Sequence, residues 1–165
     1  LAASFNEEQS VGMLYAFPSI GAFLMTVTSG WTLSRKRYGV FIVGAAALWS
    51  LSMISTGLVT SFNLILLSLF FAGFFDMVSG VFRMSLWNET IPESIRGRIA
   101  GFEMLSYMSG PLLGNALLGF LADVVGIQTA LFFGALCSLC LLALFNLFSS
   151  ALWNYKKTEH VAVNA

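Results

Sequence analysis

The chain is 165 residues long, 58% hydrophobic and 10% charged, with eight basic and eight acidic residues that cancel to zero net charge. An average soluble domain carries about 25% charged residues, so this much apolar surface excludes a water-soluble globular fold. No basic run is dense enough to hold nucleic acid, and the partner the composition calls for is the lipid bilayer.

Charge-free stretches cover residues 9–34, 38–75, 104–122 and 124–155. Each can cross a bilayer, since about 20 apolar residues span the hydrocarbon layer of roughly 30 Å. The second stretch is too long for one crossing and is divided by the polar break Thr60-Ser61-Phe62-Asn63. Five spans follow, near residues 10–33, 38–59, 64–86, 99–122 and 128–152. They lack the in-out alternation of membrane strands, so the chain is expected to be an all-α transmembrane bundle over residues 1–153 with a tail over 154–165. It begins on Leu1 with no basic n-region or cleavage site ahead of the first span, which reads as a truncated start rather than a signal peptide.

Span one contains Pro18, and Arg35, Lys36 and Arg37 follow it. Span three carries Asp76 and, two turns later on the same face, Arg83. A carboxylate inside a span costs about 2.5–3.5 kcal/mol on insertion. Asp76 therefore calls for a role, either contact with substrate or a coupling proton, or an ion network with Arg83 near the inner end of the span. Arg96 and Arg98 separate spans three and four. Span four opens at Glu103, placed for an ion pair at the interface. The stripe Ser106, Gly110 and Gly114 recurs every four residues, a spacing that lets another helix approach, and Pro111 interrupts the same span. Cys137 and Cys140 share a face of span five and are read as packing residues. Trp87 and Trp153 fit an interfacial aromatic belt, and Lys156 and Lys157 close the chain's last basic segment.

All three basic segments fall on one side, while Glu7, Glu8 and Asp123 mark the other. The positive-inside rule then puts the basic connections and the C-terminal tail in the cytoplasm of a cell whose plasma (inner) membrane holds the protein. The same rule makes Asn88-Glu89-Thr90 an inert glycosylation sequon. The only histidine, His160, lies in the tail, so no span offers a histidine base or a histidine-carboxylate metal cluster. Neither an enzyme nor a cofactor or metal site is expected.

Pro92-Glu93-Ser94-Ile95-Arg96-Gly97-Arg98-Ile99-Ala100-Gly101 resembles the P-[DE]-x-x-R-G-R-x-x-G loop of the major facilitator superfamily. Gly110-Pro111-Leu112-Leu113-Gly114 resembles that family's glycine-rich eleventh helix. Gly30 to Arg37 is similar to its G-x-x-x-D-R-x-G-R-R loop, with Ser34 in place of the acid and Arg37 in place of the central glycine. The run from Phe74 to Arg83 looks most like the enterobactin-exporter branch. The resemblance implies helices eight to twelve of twelve, with the N-terminal half missing from this chain. It also implies a secondary active transporter, coupled to protons and exporting a siderophore or drug-like small molecule, with multidrug or macrolide efflux as a variant. Arg35, Arg37, Glu93, Arg96, Arg98 and Glu103 would then belong to cytoplasmic gate loops, and Asp76 and Arg83 to the substrate and proton pathway. Pro18 and Pro111 would occupy corresponding helices of two inverted repeats, where such interruptions mark moving parts, although prolines are common in membrane helices generally. The alternative function is a non-transporting membrane scaffold or the remnant of a disrupted gene.

Overall fold

The computed structural model describes residues 8–35 and 37–148. Lys36, Trp153, Lys156, Lys157, His160, the expected tail and the last residues of span five lie outside the described residues. Five α-helices follow one another: α1 (Glu8–Val27), α2 (Tyr38–Leu58), α3 (Phe62–Thr90), α4 (Glu93–Val125) and α5 (Ile127–Phe148). Among the described residues, the four helices α2 to α5 are long and apolar enough to cross a membrane, and α1 contributes a shorter apolar run, Val11–Val27.

The helix ends differ from the expected span limits for local reasons. α1 stops at Val27 and gives way to a 3-10 turn over Ser29–Ser34. Its neighbourhood is rich in hydroxyls that compete for backbone carbonyls: Thr28 Oγ1 donates to Leu24 O at 2.8 Å, Thr32 Oγ1 to Ser29 O at 2.7 Å and Ser34 Oγ to Trp31 O at 2.9 Å. The break between α2 and α3 falls at Val59 to Ser61, overlapping the expected polar segment at Thr60 and Ser61 while Phe62 and Asn63 already belong to α3, and both Val59 and Ser61 are extended. α3 continues past residue 86 to Thr90, because nothing there opposes helix until Pro92 disfavours it at the residue before.

The Arg-Gly-Arg segment is a corrected expectation. The link between α3 and α4 is only Ile91 and Pro92, so Glu93, Arg96 and Arg98 lie in the first two turns of α4 rather than in a loop. Pro92 caps the helix with φ −59°, and Glu93 places a negative charge at the positive end of the helix dipole. At the other end of α4, Gly126 alone turns the chain into α5, with φ +85° and ψ 152°, a conformation essentially restricted to glycine.

α3 is the centre of the bundle. It packs against α1 on one side and α2 on the other, α2 packs against α5, and α5 carries α4. The α1–α3 crossing is close enough to be backbone on backbone. A Cβ added at Gly21 would strike the Phe70 carbonyl, and one at Gly73 would strike the Pro18 carbonyl. Gly57 plays the same part between α2 and α5, where a Cβ would lie 2.8 Å from Phe132 N and 2.9 Å from Gln128 O. The buried core joins Met25, Tyr38, Ala45, Val78 and Phe82, with Trp31 and Phe41 against it. Phe41 and Phe82 stack at 4.7 Å. Thr56 and Ser50 are buried but satisfied, donating to Ser52 O and Ala46 O within α2. α4 buries no residue against the rest of the chain.

Candidate functional site

Asp76 sits midway along α3, with as many helical residues before it as after it. Seven residues separate it from Arg83, a rise of about 10 Å, and the two side chains extend toward each other until Arg83 Nη2 is 3.9 Å from Asp76 Oδ1. That is an ion pair without a hydrogen bond, since charge-assisted contacts close to about 2.7–2.9 Å. The pair is open, with 45% of the Arg83 side chain and 69% of the Asp76 side chain exposed. Among the described residues it is the only salt bridge. The guanidinium also lies over the Tyr107 ring on α4, 5.5 Å from its centroid.

Arg83 borders two cavities. The larger, about 810 Å³, opens between α2, α3 and α4 and takes in Trp87, Phe102, Glu103, Ser106 and Tyr107. The smaller, about 320 Å³, lies between α2, α3 and α5 and is lined by Asp76, Ser50, Ser79, Ser138 and Trp49. The arginine therefore stands between a wide, aromatic chamber and a narrow, hydroxyl-rich one that holds its carboxylate partner.

A second cluster ties the ends of α2 and α3 together. Tyr38, the first residue of α2, donates its hydroxyl to Glu89 Oε1 in the last turn of α3 at 2.8 Å. Arg96 reaches back from α4 to donate through Nη2 to the Asn88 carbonyl at 3.2 Å and the Ile91 carbonyl at 3.4 Å, satisfying orphan acceptors at the α3 C-terminus. Its Nε is buried with no acceptor among the described residues. Arg35 lies over the Phe41 ring at 5.8 Å. Of the basic residues expected at a gate, Arg96 is half-buried, while Arg35, Arg37 and Arg98 are exposed.

Other expected site residues are placed differently. Glu103 forms no ion pair among the described residues and instead faces the larger cavity beside Arg83. Gly110 and Gly114 have no neighbouring atom where a Cβ would stand, and Ser106 turns its hydroxyl back to Phe102 O at 3.0 Å, so the α4 stripe packs no helix among the described residues. Pro111 is exposed, whereas Pro18 is the residue that Gly73 admits. Cys137 and Cys140 are free and exposed. No group of metal-binding side chains occurs among the described residues. Sequence reasoning missed Tyr38, Glu89, Gly21 and Gly73. A glycine three residues after Pro18 and another three before Asp76 were the available signals, but only the crossing of α1 and α3 pairs them.

The profile of the Major Facilitator Superfamily matches residues 1–163. The enterobactin exporter EntS of Citrobacter koseri is 29% identical to the chain over 115 residues, 70% of this chain and 28% of that protein. The chain thus spans less than a third of the length of the curated relative it matches. No solved structure matches it.

Proposed function

The chain belongs to the major facilitator superfamily, and from that membership we propose that it forms part of a secondary active transporter exporting a siderophore or drug-like small molecule in exchange for protons. The observation that carries this is the Asp76–Arg83 pair, open to the outside of the chain at the middle of an apolar helix. Hydrocarbon is a costly surrounding for two charges. Water in a pathway, or polar groups of a further helical bundle, would solvate them, and a carboxylate so placed is able to take up and release a proton. The remaining wall of the pathway comes, on this proposal, from the missing N-terminal half. The two bundles rock about the midplane, and the Tyr38–Glu89 and Arg96 contacts hold α2, α3 and α4 as one moving body. The basic end, with Arg35, Arg37, Arg96 and Arg98, faces the cytoplasm of a cell bounded by this membrane.

Inside-out membrane vesicles containing the transporter test the proposal. Dye accumulation driven by an imposed pH gradient, and collapsed by a protonophore, is the expected result. Accumulation that ignores the protonophore would remove proton coupling.

A further inference from the structure

Four polar side chains are more than nine-tenths buried among the described residues: Thr32, Ser50, Thr56 and Ser79. Three of them return their hydroxyls to a backbone carbonyl three or four residues earlier, Thr32 to Ser29 O, Ser50 to Ala46 O and Thr56 to Ser52 O. Ser79 makes no hydrogen bond among the described residues and lines the smaller cavity. A buried hydroxyl without a partner is costly, so a ligand able to hydrogen-bond is called for there. Ser138, half-buried on α5, lines the same cavity and likewise makes no hydrogen bond among the described residues. Asp76 and Arg83 complete the polar lining, facing each other at 3.9 Å, a gap that a bridging water suits better than a direct bond. Other titratable groups stand apart: α2 and α5 bring only hydroxyls, Trp49 and apolar side chains to this cavity, and α1 brings none. On α4, Tyr107 lies against the Arg83 guanidinium and Glu103 lines the larger cavity.

We infer that the smaller cavity is a water-filled chamber that carries the proton to and from Asp76, separate from the larger cavity. A resident ion of either sign would meet its like on one side of the Asp76–Arg83 pair, whereas water is neutral and both donates and accepts. The volume of about 320 Å³ is far more than one water needs, and the three hydroxyls with the two charged groups supply more than the two to four partners it takes. Ser79, three residues beyond Asp76 and so on the same face of α3, is the positioning residue that anchors water beside the carboxylate, with Ser50 and Ser138 on the facing walls. A hydronium ion in the chamber gives its proton to a carboxylate oxygen of Asp76 and is left as water, and release runs in reverse. Arg83 is the one residue that lines both cavities, so it is the contact through which neutralisation of Asp76 reaches the wider chamber. The inference rests on the transport proposal for the use made of the proton, but hydration of the chamber requires no gradient.

Thiol reactivity reads the water directly, because the reactive thiolate forms only where the sulfur is hydrated. In the 165-residue chain carrying Cys137→Ala and Cys140→Ala, held in phosphatidylcholine nanodiscs, Ser138→Cys is compared with Leu141→Cys. Leu141 is 61% exposed on the outer surface of α5, and three residues change the depth by only about 4.5 Å. A methanethiosulfonate reagent should modify Ser138→Cys at least about tenfold faster; equal or slower modification would overturn the chamber. In proteoliposomes of the transporter, Ser79→Ala should slow pH-gradient-driven accumulation by about tenfold, the loss of one hydrogen bond to water, with substrate binding unchanged. The slowing should deepen as pH is raised on both sides at constant gradient, because proton supply has become limiting, and Ser79→Thr, which keeps the hydroxyl, should restore most of the rate. An unslowed Ser79→Ala protein, or a slowing equal at every pH, would overturn the proton route. Fast modification of Ser138→Cys in a protein without proton-driven flux removes the transport proposal alone, and slow modification in one with such flux removes this chamber alone.

Discussion

Replacing Gly73 by alanine places a methyl group where α1 and α3 meet backbone to backbone. The new Cβ would lie 2.6 Å from the Pro18 carbonyl carbon and 2.7 Å from its Cα, against an ordinary contact of 3.4–4 Å. No side-chain rotation relieves a clash with backbone, so the helices must part by about 1 Å or bend. Overpacking of this kind costs about 1–3 kcal/mol, and backbone on both sides argues for the upper half of that range. Alanine returns about 1 kcal/mol of helix propensity over glycine, leaving a net loss of about 1–2 kcal/mol. Gly110→Ala is the matched control, because nothing lies within 4 Å of its Cβ and only the propensity gain remains. Unfolding of the purified chain by sodium dodecyl sulfate in mixed micelles, followed by circular dichroism, should separate the two variants by about 2–3 kcal/mol. Gly21→Ala should resemble Gly73→Ala, and the double variant should lose less than the sum, since helices already parted make room for the second methyl. Equal stability of Gly73→Ala and Gly110→Ala would refute the close crossing.

Tyr38→Phe removes the hydroxyl that donates to Glu89 at 2.8 Å while keeping the ring against Phe82 at 5.7 Å. The same unfolding titration should show a loss of about 1.5–2 kcal/mol, the lower part of the range for a bond to a charged acceptor because the site is only part-buried. Gly126→Ala forces a side chain into φ +85° and should cost about 1–3 kcal/mol with no change in the packing of α1 against α3. For topology, a membrane-impermeant maleimide applied to intact cells should label Asn63→Cys and spare Arg98→Cys until the membrane is permeabilised; the reverse pattern would invert the orientation.

Hydropathy made the helices legible because the apolar runs of α2 to α5 are long enough to cross lipid and that of α1, Val11–Val27, is only a little shorter, and the break at Thr60–Ser61 was legible because two hydroxyls and Asn63 interrupt it. Helix ends were less so. The residues from Thr28 to Ser34 carry no charge and so read as an extension of span one, yet their hydroxyls bond locally and the chain forms a 3-10 segment. Basic residues at 96 and 98 looked like a loop because charge is excluded from lipid, but charge does not forbid helix, and α4 begins at Glu93. The seven-residue spacing put Asp76 and Arg83 on one face, about 10 Å apart along the axis and able to meet only through extended side chains or water, and the structure brings the extended side chains to 3.9 Å. Glycine packing was misplaced for a different reason: the four-residue repeat on α4 is a property of one helix, whereas a close crossing is a property of two. Gly21, Gly57 and Gly73 show no repeat at all, and each is identified only by the backbone opposite it. The Tyr38–Glu89 bond was likewise invisible, because it joins the first residue of one helix to the last turn of the next.

The central claim, that a titratable carboxylate on α3 couples protons to transport, is tested most directly by pH-gradient-driven substrate accumulation in proteoliposomes containing the transporter with Asp76→Asn. The amide keeps the size and hydrogen-bonding capacity of the carboxylate but cannot titrate. The expected result is retained substrate binding with loss of gradient-driven accumulation, and no rescue by adding Arg83→Gln. Recovery in that double variant would assign Asp76 to neutralising Arg83 instead, and undiminished accumulation by the Asp76→Asn protein would contradict the claim outright.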